Sequence, residues 1–121
     1  MCKVVSLTIG KNTFKVADIK KNYITNIISA AEKCDFIERV VLFGSSIEER
    51  CKRTSDIDIA VFGTHTPSRA LSSKKYERFA RQLYSFDNHR QSYDILYFKS
   101  GSKKTSQIME NISKGEVLYE R

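Results

Sequence analysis

The sequence predicts an α/β (α+β) domain, a small mixed β-sheet flanked by helices. Three observations lead there. Short apolar runs at residues 36–43 (FIERVVLF), 57–62 (IDIAVF) and 93–98 (YDILYF) have the length and the β-branched and aromatic content of strands. Segments before and between them repeat apolar residues at helical spacing. The two patterns alternate along a chain of 121 residues, 40% of them hydrophobic, which suits one domain with a real core.

Residues 4–9, VVSLTI, are short and β-branched, and Gly10-Lys11-Asn12 marks a turn after them. They form a possible strand within an N-terminal extension of residues 1–15. Ile19, Tyr23, Ile27, Ala31 and Cys34 then recur at spacings of four and three, one apolar face of a helix over residues 17–34, with Asp18 placed to cap it. The strand at 36–43 ends in VVLF, and Gly44-Ser45-Ser46 stops it. Residues 47–51 can form a short helix, with Ser45 or Ser46 as its cap and Glu48 and Glu49 in its first turn, where acids suit the helix dipole. The strand at 57–62 follows, then a loop at 63–70 that holds the only proline. Residues 72–86 read as an amphipathic helix, with Tyr76, Phe79, Leu83 and Phe86 on one stripe and Lys75, Arg78 and Gln82 off it. After the strand at 93–98 come a helix at 106–113 around Ile108, Met109 and Ile112, and a short closing strand at 116–119 beyond Gly115.

Composition excludes several classes. One Pro and five Gly argue against low complexity. No apolar run approaches the ~20 residues of a membrane span, and the apolar stretch at the N-terminus is too short for a signal peptide. The expected setting is cytoplasmic, with no membrane partner. Three cysteines, Cys2, Cys34 and Cys51, are an odd number with no C-x-x-C pair, which excludes a disulfide framework or zinc site as the expectation. Cys34 reads as a small buried hydrophobe. The net charge of +7 is uneven: residues 64–106 hold nine Lys and Arg against three acids. Such a surface attracts nucleotide phosphates or RNA, and it also occurs as a plain solvated face. Lys103-Lys104 could touch a phosphate or form a solvated turn. His65 and His89 have no metal spacing, and Tyr93 and Tyr97 read as packing residues.

The chemistry concentrates in two stretches, Leu42-Phe43-Gly44-Ser45-Ser46 and Thr54-Ser55-Asp56-Ile57-Asp58. Residues i and i+2 of a strand share a face, so Asp56 and Asp58 project together. Two unpaired carboxylates repel each other, and a divalent cation resolves that conflict. Mg²⁺ takes one or two carboxylates plus waters and phosphate oxygens. A second ion about 3.5–4 Å away would complete a two-metal clamp for phosphoryl or nucleotidyl transfer. Gly44 lets backbone approach a triphosphate, Ser45 adds a hydroxyl, and a following helix N-terminus offers free N–H groups. Asp94, in the strand 93–98, lies either at the sheet's edge or on the active face. In the second case it can bind a metal and deprotonate an attacking hydroxyl.

These residues resemble the signature of the DNA polymerase beta-like nucleotidyltransferase superfamily, and more narrowly its minimal nucleotidyltransferases. The family pattern of strand, G-S, short helix and S-D-x-D reads here as FGSS…TSDIDIAVFG. The likeness covers about residues 17–121, including the closing ISKGEVLYER. It implies a polymerase beta palm-like fold. It implies Gly44, Ser45 and Ser46 as the phosphate-binding turn, and Asp56, Asp58 and Asp94 as catalytic metal ligands. It further implies transfer of a nucleoside monophosphate from ATP or another NTP to a hydroxyl, with Mg²⁺. One departure stands out. Where many minimal members carry an Arg four residues past the glycine, this chain has Glu48, and its arginine comes at Arg50, followed by Cys51. Either Arg50, Lys52 or Arg53 takes the cationic role, or triphosphate binding is weaker.

The resemblance also suggests a partner, a helical HEPN-type toxin whose tyrosine receives AMP, with this chain as the antitoxin. A homodimer is compatible with it. The competing readings are a non-catalytic antitoxin that binds its partner by contact, a small-molecule transferase, and an RNA-binding module. No aromatic-basic RNP-like pattern supports the last.

Overall fold

The computed structural model describes residues 2–102 and 106–121. Lys103-Lys104 lie outside the described residues. An antiparallel hairpin opens the chain, β1 (Val4–Ile9) and β2 (Asn12–Ala17). A 3-10 turn leads into α1 (Lys21–Glu32), followed by β3 (Ile37–Phe43), a 3-10 turn at Gly44–Ile47 and β4 (Ile57–Gly63). Next come α2 (Pro67–Leu71), α3 (Lys74–Ser85), β5 (Tyr93–Lys99), α4 (Gln107–Ser113) and β6 (Glu116–Glu120).

The main sheet runs β5-β4-β3-β6. It is mixed, as the sequence predicts: β3 pairs antiparallel with β4 and β6, and β4 pairs parallel with β5. A parallel pair needs a long crossover, which α2 and α3 supply. Alternation along the strands divides the core in two. Val40 and Leu42 of β3 and Ile57, Ile59 and Val61 of β4 face Ile24, Ile27, Phe79 and Leu83 of α1 and α3. Val41, Phe43, Ala60 and Phe62 face the other way, toward Met109 and Ile112 of α4. Among the described residues, no helix is long and apolar enough to cross a membrane.

The structure corrects several boundaries. Residues 12–17 form a second strand, β2, where the sequence predicts a turn through Asn12 and a helix from residue 17. The stretch alternates, with Phe14 and Val16 buried and Thr13 and Lys15 exposed, the period of a half-buried strand. The helix expected at 17–34 starts at Lys21. Asp18 does not cap it; its carboxylate accepts from the backbone N–H of Lys3 at 3.3 Å. The buried stripe of α1 is Ile24, Ile27, Ile28 and Ala31, with Ile19 and Tyr23 only half-buried. Cys34 is buried as expected, and burial pushes its thiol up. The loop at 63–70 contains α2, whose cap Thr66 accepts from the N–H of Arg69 at 3.4 Å, with Pro67 at the first helical position. Tyr76, Phe79 and Leu83 are buried on α3, but Phe86 lies past its end and is 50% exposed.

Candidate active site

The β3 strand delivers its backbone to Gly44 at the edge of a cleft of about 450 Å³. Gly44 sits at φ +74°, in the left-handed region. A Cβ there would overlap Oδ2 of Asp58, so a glycine is required twice over, by conformation and by space. The expected helix at 47–51 is absent. Instead Gly44–Ile47 makes one 3-10 turn with no side-chain cap, and Glu48 is extended at φ −128° and ψ 155°. Without a regular helix after Gly44, no helix dipole develops here, and what the turn offers is close backbone approach.

Asp58 and Asp94 are register partners across the parallel β4–β5 pair. Phe43 is the partner of Asp58 on the other side. The two carboxylates share a sheet face with Ala60, Phe62, Leu96 and Phe98, the face that α4 covers. Both alternatives for Asp94 hold, because β5 is an edge strand and its Asp94 is also on the cleft face. Burial pushes the Asp58 carboxyl above its ordinary range; the charges of Asp94 and then Asp56 push it further, and Arg50 opposes them.

Of the sequence-predicted residues, the cleft brings together Gly44, Arg50, Asp58 and Asp94. Asp56 precedes β4, is exposed, and reaches the site through its charge on Asp58, not through the cleft lining. Ser45 is half-buried and outside the lining. Ser46 is fully buried, with an Oγ that has no hydrogen-bond partner among the described residues. Lys52 and Arg53 are exposed and also outside it. Arg50 is engaged: its Nε donates to Glu48 Oε2 at 2.6 Å and its Nη2 to Oε1 at 3.3 Å. Among the described residues, no three or more His, Cys, Asp or Glu side chains stand closely enough together to form a metal cluster.

Sequence reasoning missed the support beneath Asp56. Lys20 is 1% exposed. Its ammonium donates to the carbonyls of Arg53 at 3.0 Å and Ser55 at 2.7 Å, and to Gln91 Oε1 at 2.7 Å. All three N–H donors are thereby used. Gln91 Nε2 returns to the Ser55 carbonyl at 3.0 Å. Burial lowers the Lys20 pKa, and the charges of Cys51, Asp56 and Asp87 oppose that shift. Lys20 lies in the 3-10 turn just before α1, where the helical period of α1 does not reach, so the sequence pattern carries no signal of its burial. From the other side, the thiol of Cys2 donates to the carbonyls of Glu48 at 3.4 Å and Glu49 at 3.3 Å, joining the N-terminus to the same loop. Missed as well were Ile108, Asn111 and Lys114 of the α4 segment, which line the cleft opposite the carboxylates.

Comparisons with known proteins agree with this fold. The family described as "Polymerase beta, Nucleotidyltransferase" matches residues 25–121. One chain of a crystal structure of the toxin–antitoxin MntA–HpeT mutant has a similar fold, with a TM-score of 0.54 and 20% sequence identity over 84% of this chain and 73% of that chain. A comparison with curated proteins finds no match.

Proposed function

The chain belongs to the polymerase beta nucleotidyltransferase family, and from that premise we propose that it moves a nucleoside monophosphate, AMP from ATP in the first instance, onto a hydroxyl. The observation that carries this is the pairing of Asp58 with Asp94 across β4 and β5, beside the close-approach turn at Gly44. The oxygen donors suit hard divalent cations. The Asp58 carboxyl is already destabilised as an anion by burial and by its acidic neighbours, and a bound cation would relieve that. Asp58 and Asp94 would hold Mg²⁺ in the cleft, and Asp56, which stands outside the lining, would have to turn in to join them as a third ligand; two ions are the expected number. When bound, Mg²⁺ supplies charge stabilisation at the phosphates.

The chain's own residues do the rest. Gly44 leaves room for backbone contact with the triphosphate. Asp94, at the exposed edge of the sheet, accepts the proton of the incoming hydroxyl. That oxygen bonds to the α-phosphorus, the bond from the α-phosphorus to the bridging oxygen breaks, and pyrophosphate leaves with the electron pair.

The acceptor we place on a protein partner, a tyrosine of a HEPN-type helical toxin, with this chain as the antitoxin in the cytoplasm. Two features of the solved neighbour support this. It is a toxin–antitoxin pair, and its mutant replaces two aspartates two positions apart by glutamate, the spacing of Asp56 and Asp58. The test is incubation of the chain with ATP, Mg²⁺ and such a partner, read by the mass of the partner. A gain of one AMP is expected. Asp58→Ala should cut transfer on the order of a hundredfold or more, the scale of lost charge stabilisation by a metal. Full activity in that variant excludes the site.

A second reading has one observation in its favour. The Glu48–Arg50 ion pair places an acid in the cleft where a phosphate would come. A partner-binding antitoxin without catalysis would still neutralise its toxin when Asp56 and Asp58 are both alanine, and it would bind no Mg-NTP in calorimetry.

A further inference from the structure

We propose that Lys114, not Arg50, is the cation that holds the triphosphate in this cleft; the proposal rests on the nucleotidyl-transfer reading above. Among the described residues that line the cleft, the cations are Arg50 and Lys114. They differ in what they already hold. Arg50 grips Glu48 through two nitrogens, and its hydrogen bond keeps the Glu48 carboxyl below its ordinary range. Its charge is met inside the cleft by an acid two residues away. Among the described residues, Lys114 has only Glu110, at 3.8 Å, with the side chains 73% and 60% exposed. That is beyond hydrogen-bond distance and easily exchanged for another anion.

Position makes the stronger argument. Glu116 is the register partner of Leu42 in the antiparallel β3–β6 pair. Lys114 caps α4 two residues before β6 begins, and Gly44 directly follows β3, so both stand at the same end of this strand pair and both line the cleft. Gly115 permits this approach: a Cβ there would lie 2.5 Å from the Leu42 carbonyl oxygen and 2.8 Å from Val41 Cγ1. The end of the sheet therefore presents, in spatial order, Asp94, Asp58, the Gly44 turn and Lys114. Carboxylates stand at one rim, an ammonium at the other, and a turn open to close approach between them. A polyanion whose reacting end goes to the carboxylates has its remaining charge toward Lys114. The lysine is a point charge on a flexible stem and needs no fixed fork geometry to meet it. Its place at the end of α4 also suits the helix dipole, so the test must separate substrate binding from helix stability.

Calorimetry on the full chain with Mg²⁺ and the non-hydrolysable analogue α,β-methylene-ATP makes that separation, with inorganic tripolyphosphate as a second ligand. Lys114→Gln should weaken both ligands on the order of tenfold, the scale of one charge-assisted hydrogen bond, with an unchanged melting temperature. Lys114→Arg should restore binding. Arg50→Gln should stay within about twofold of wild type, and Glu48→Gln, which frees Arg50, should tighten binding. Equal binding by Lys114→Gln and wild type overturns the assignment, as does an Arg50→Gln loss as large as that of Lys114→Gln. Wild-type binding of tripolyphosphate but not of the nucleotide, with the loss in Lys114→Gln retained, overturns the transfer reading and leaves Lys114 as an anion site. Binding of neither ligand overturns both.

Discussion

At the scale of single residues, the site turns on Gly44 and Asp58. A methyl group at position 44 would force a left-handed residue, which costs about 1–2 kcal/mol, and would displace the Asp58 carboxylate. Gly44→Ala is therefore expected to lower stability by at least that amount in urea unfolding and to remove transfer activity. Asp58 gives a prediction of opposite sign for stability. Its folded pKa is raised, so its ionised form weakens the fold, fully above the folded pKa and not at all below the unfolded one. In chelator, Asp58→Asn should melt higher than wild type at pH 7, and the difference should vanish as the pH falls through the carboxylate range. Gly44, Asp58 and Asp94 were legible in the sequence, because strand alternation and a glycine turn follow from backbone geometry. The Glu48–Arg50 pair was not. Residues i and i+2 do not face each other on a helix, and only the extended backbone found at Glu48 brings them together.

At the scale of elements, the start of β4 depends on the 3-10 turn that leads into α1. Lys20 fixes the carbonyls of Arg53 and Ser55 just before Asp56. Lys20→Met keeps much of the volume but leaves buried acceptors unpaired, at an expected cost of about 3 kcal/mol. Denaturant unfolding measures that loss, and weaker Mg²⁺ binding by the refolded variant should accompany it. A variant as stable as wild type would remove Lys20 from this account. Two apolar stripes are compatible with the sequence of α1, one through Ile19 and Tyr23 and one through Ile24 and Ile28. Helical period alone does not choose between them. The hairpin before α1 chooses, since β2 continues to Ala17 and delays the helix start to Lys21. The alternation of Phe14 and Val16 carried that information, but a six-residue strand before a strong helical pattern is easily absorbed into it.

For the whole molecule, the two faces of the main sheet have separate tasks. One packs α1 and α3 into the larger core. The other carries Asp58 and Asp94 and is covered by the short α4. Part of the basic charge at 64–106 accordingly lies away from the cleft. On α3, across the sheet from the carboxylates, Lys75 pairs with Asp35 at 2.6 Å and Arg81 with Glu77 at 2.5 Å. Charge counted along the sequence could not show this, because it takes the sheet to assign each cation a side. The hairpin lies before the family match at 25–121, yet Phe14 is 2% exposed within the larger core. Phe14→Ala should cost about 3–5 kcal/mol in global unfolding, while the same change at the half-exposed Phe86 should cost far less.

In the proposed reaction Asp58 and Asp94 serve transfer of a nucleoside monophosphate. Labelled ATP tests it most directly: the chain, Mg²⁺ and its protein partner are incubated with ATP labelled at the α-phosphate or, separately, at the γ-phosphate. The α-label is expected on the partner and the γ-label in released pyrophosphate, with transfer abolished in Asp94→Asn. Label arriving from the γ-phosphate, or undiminished α-transfer in that variant, would contradict the account.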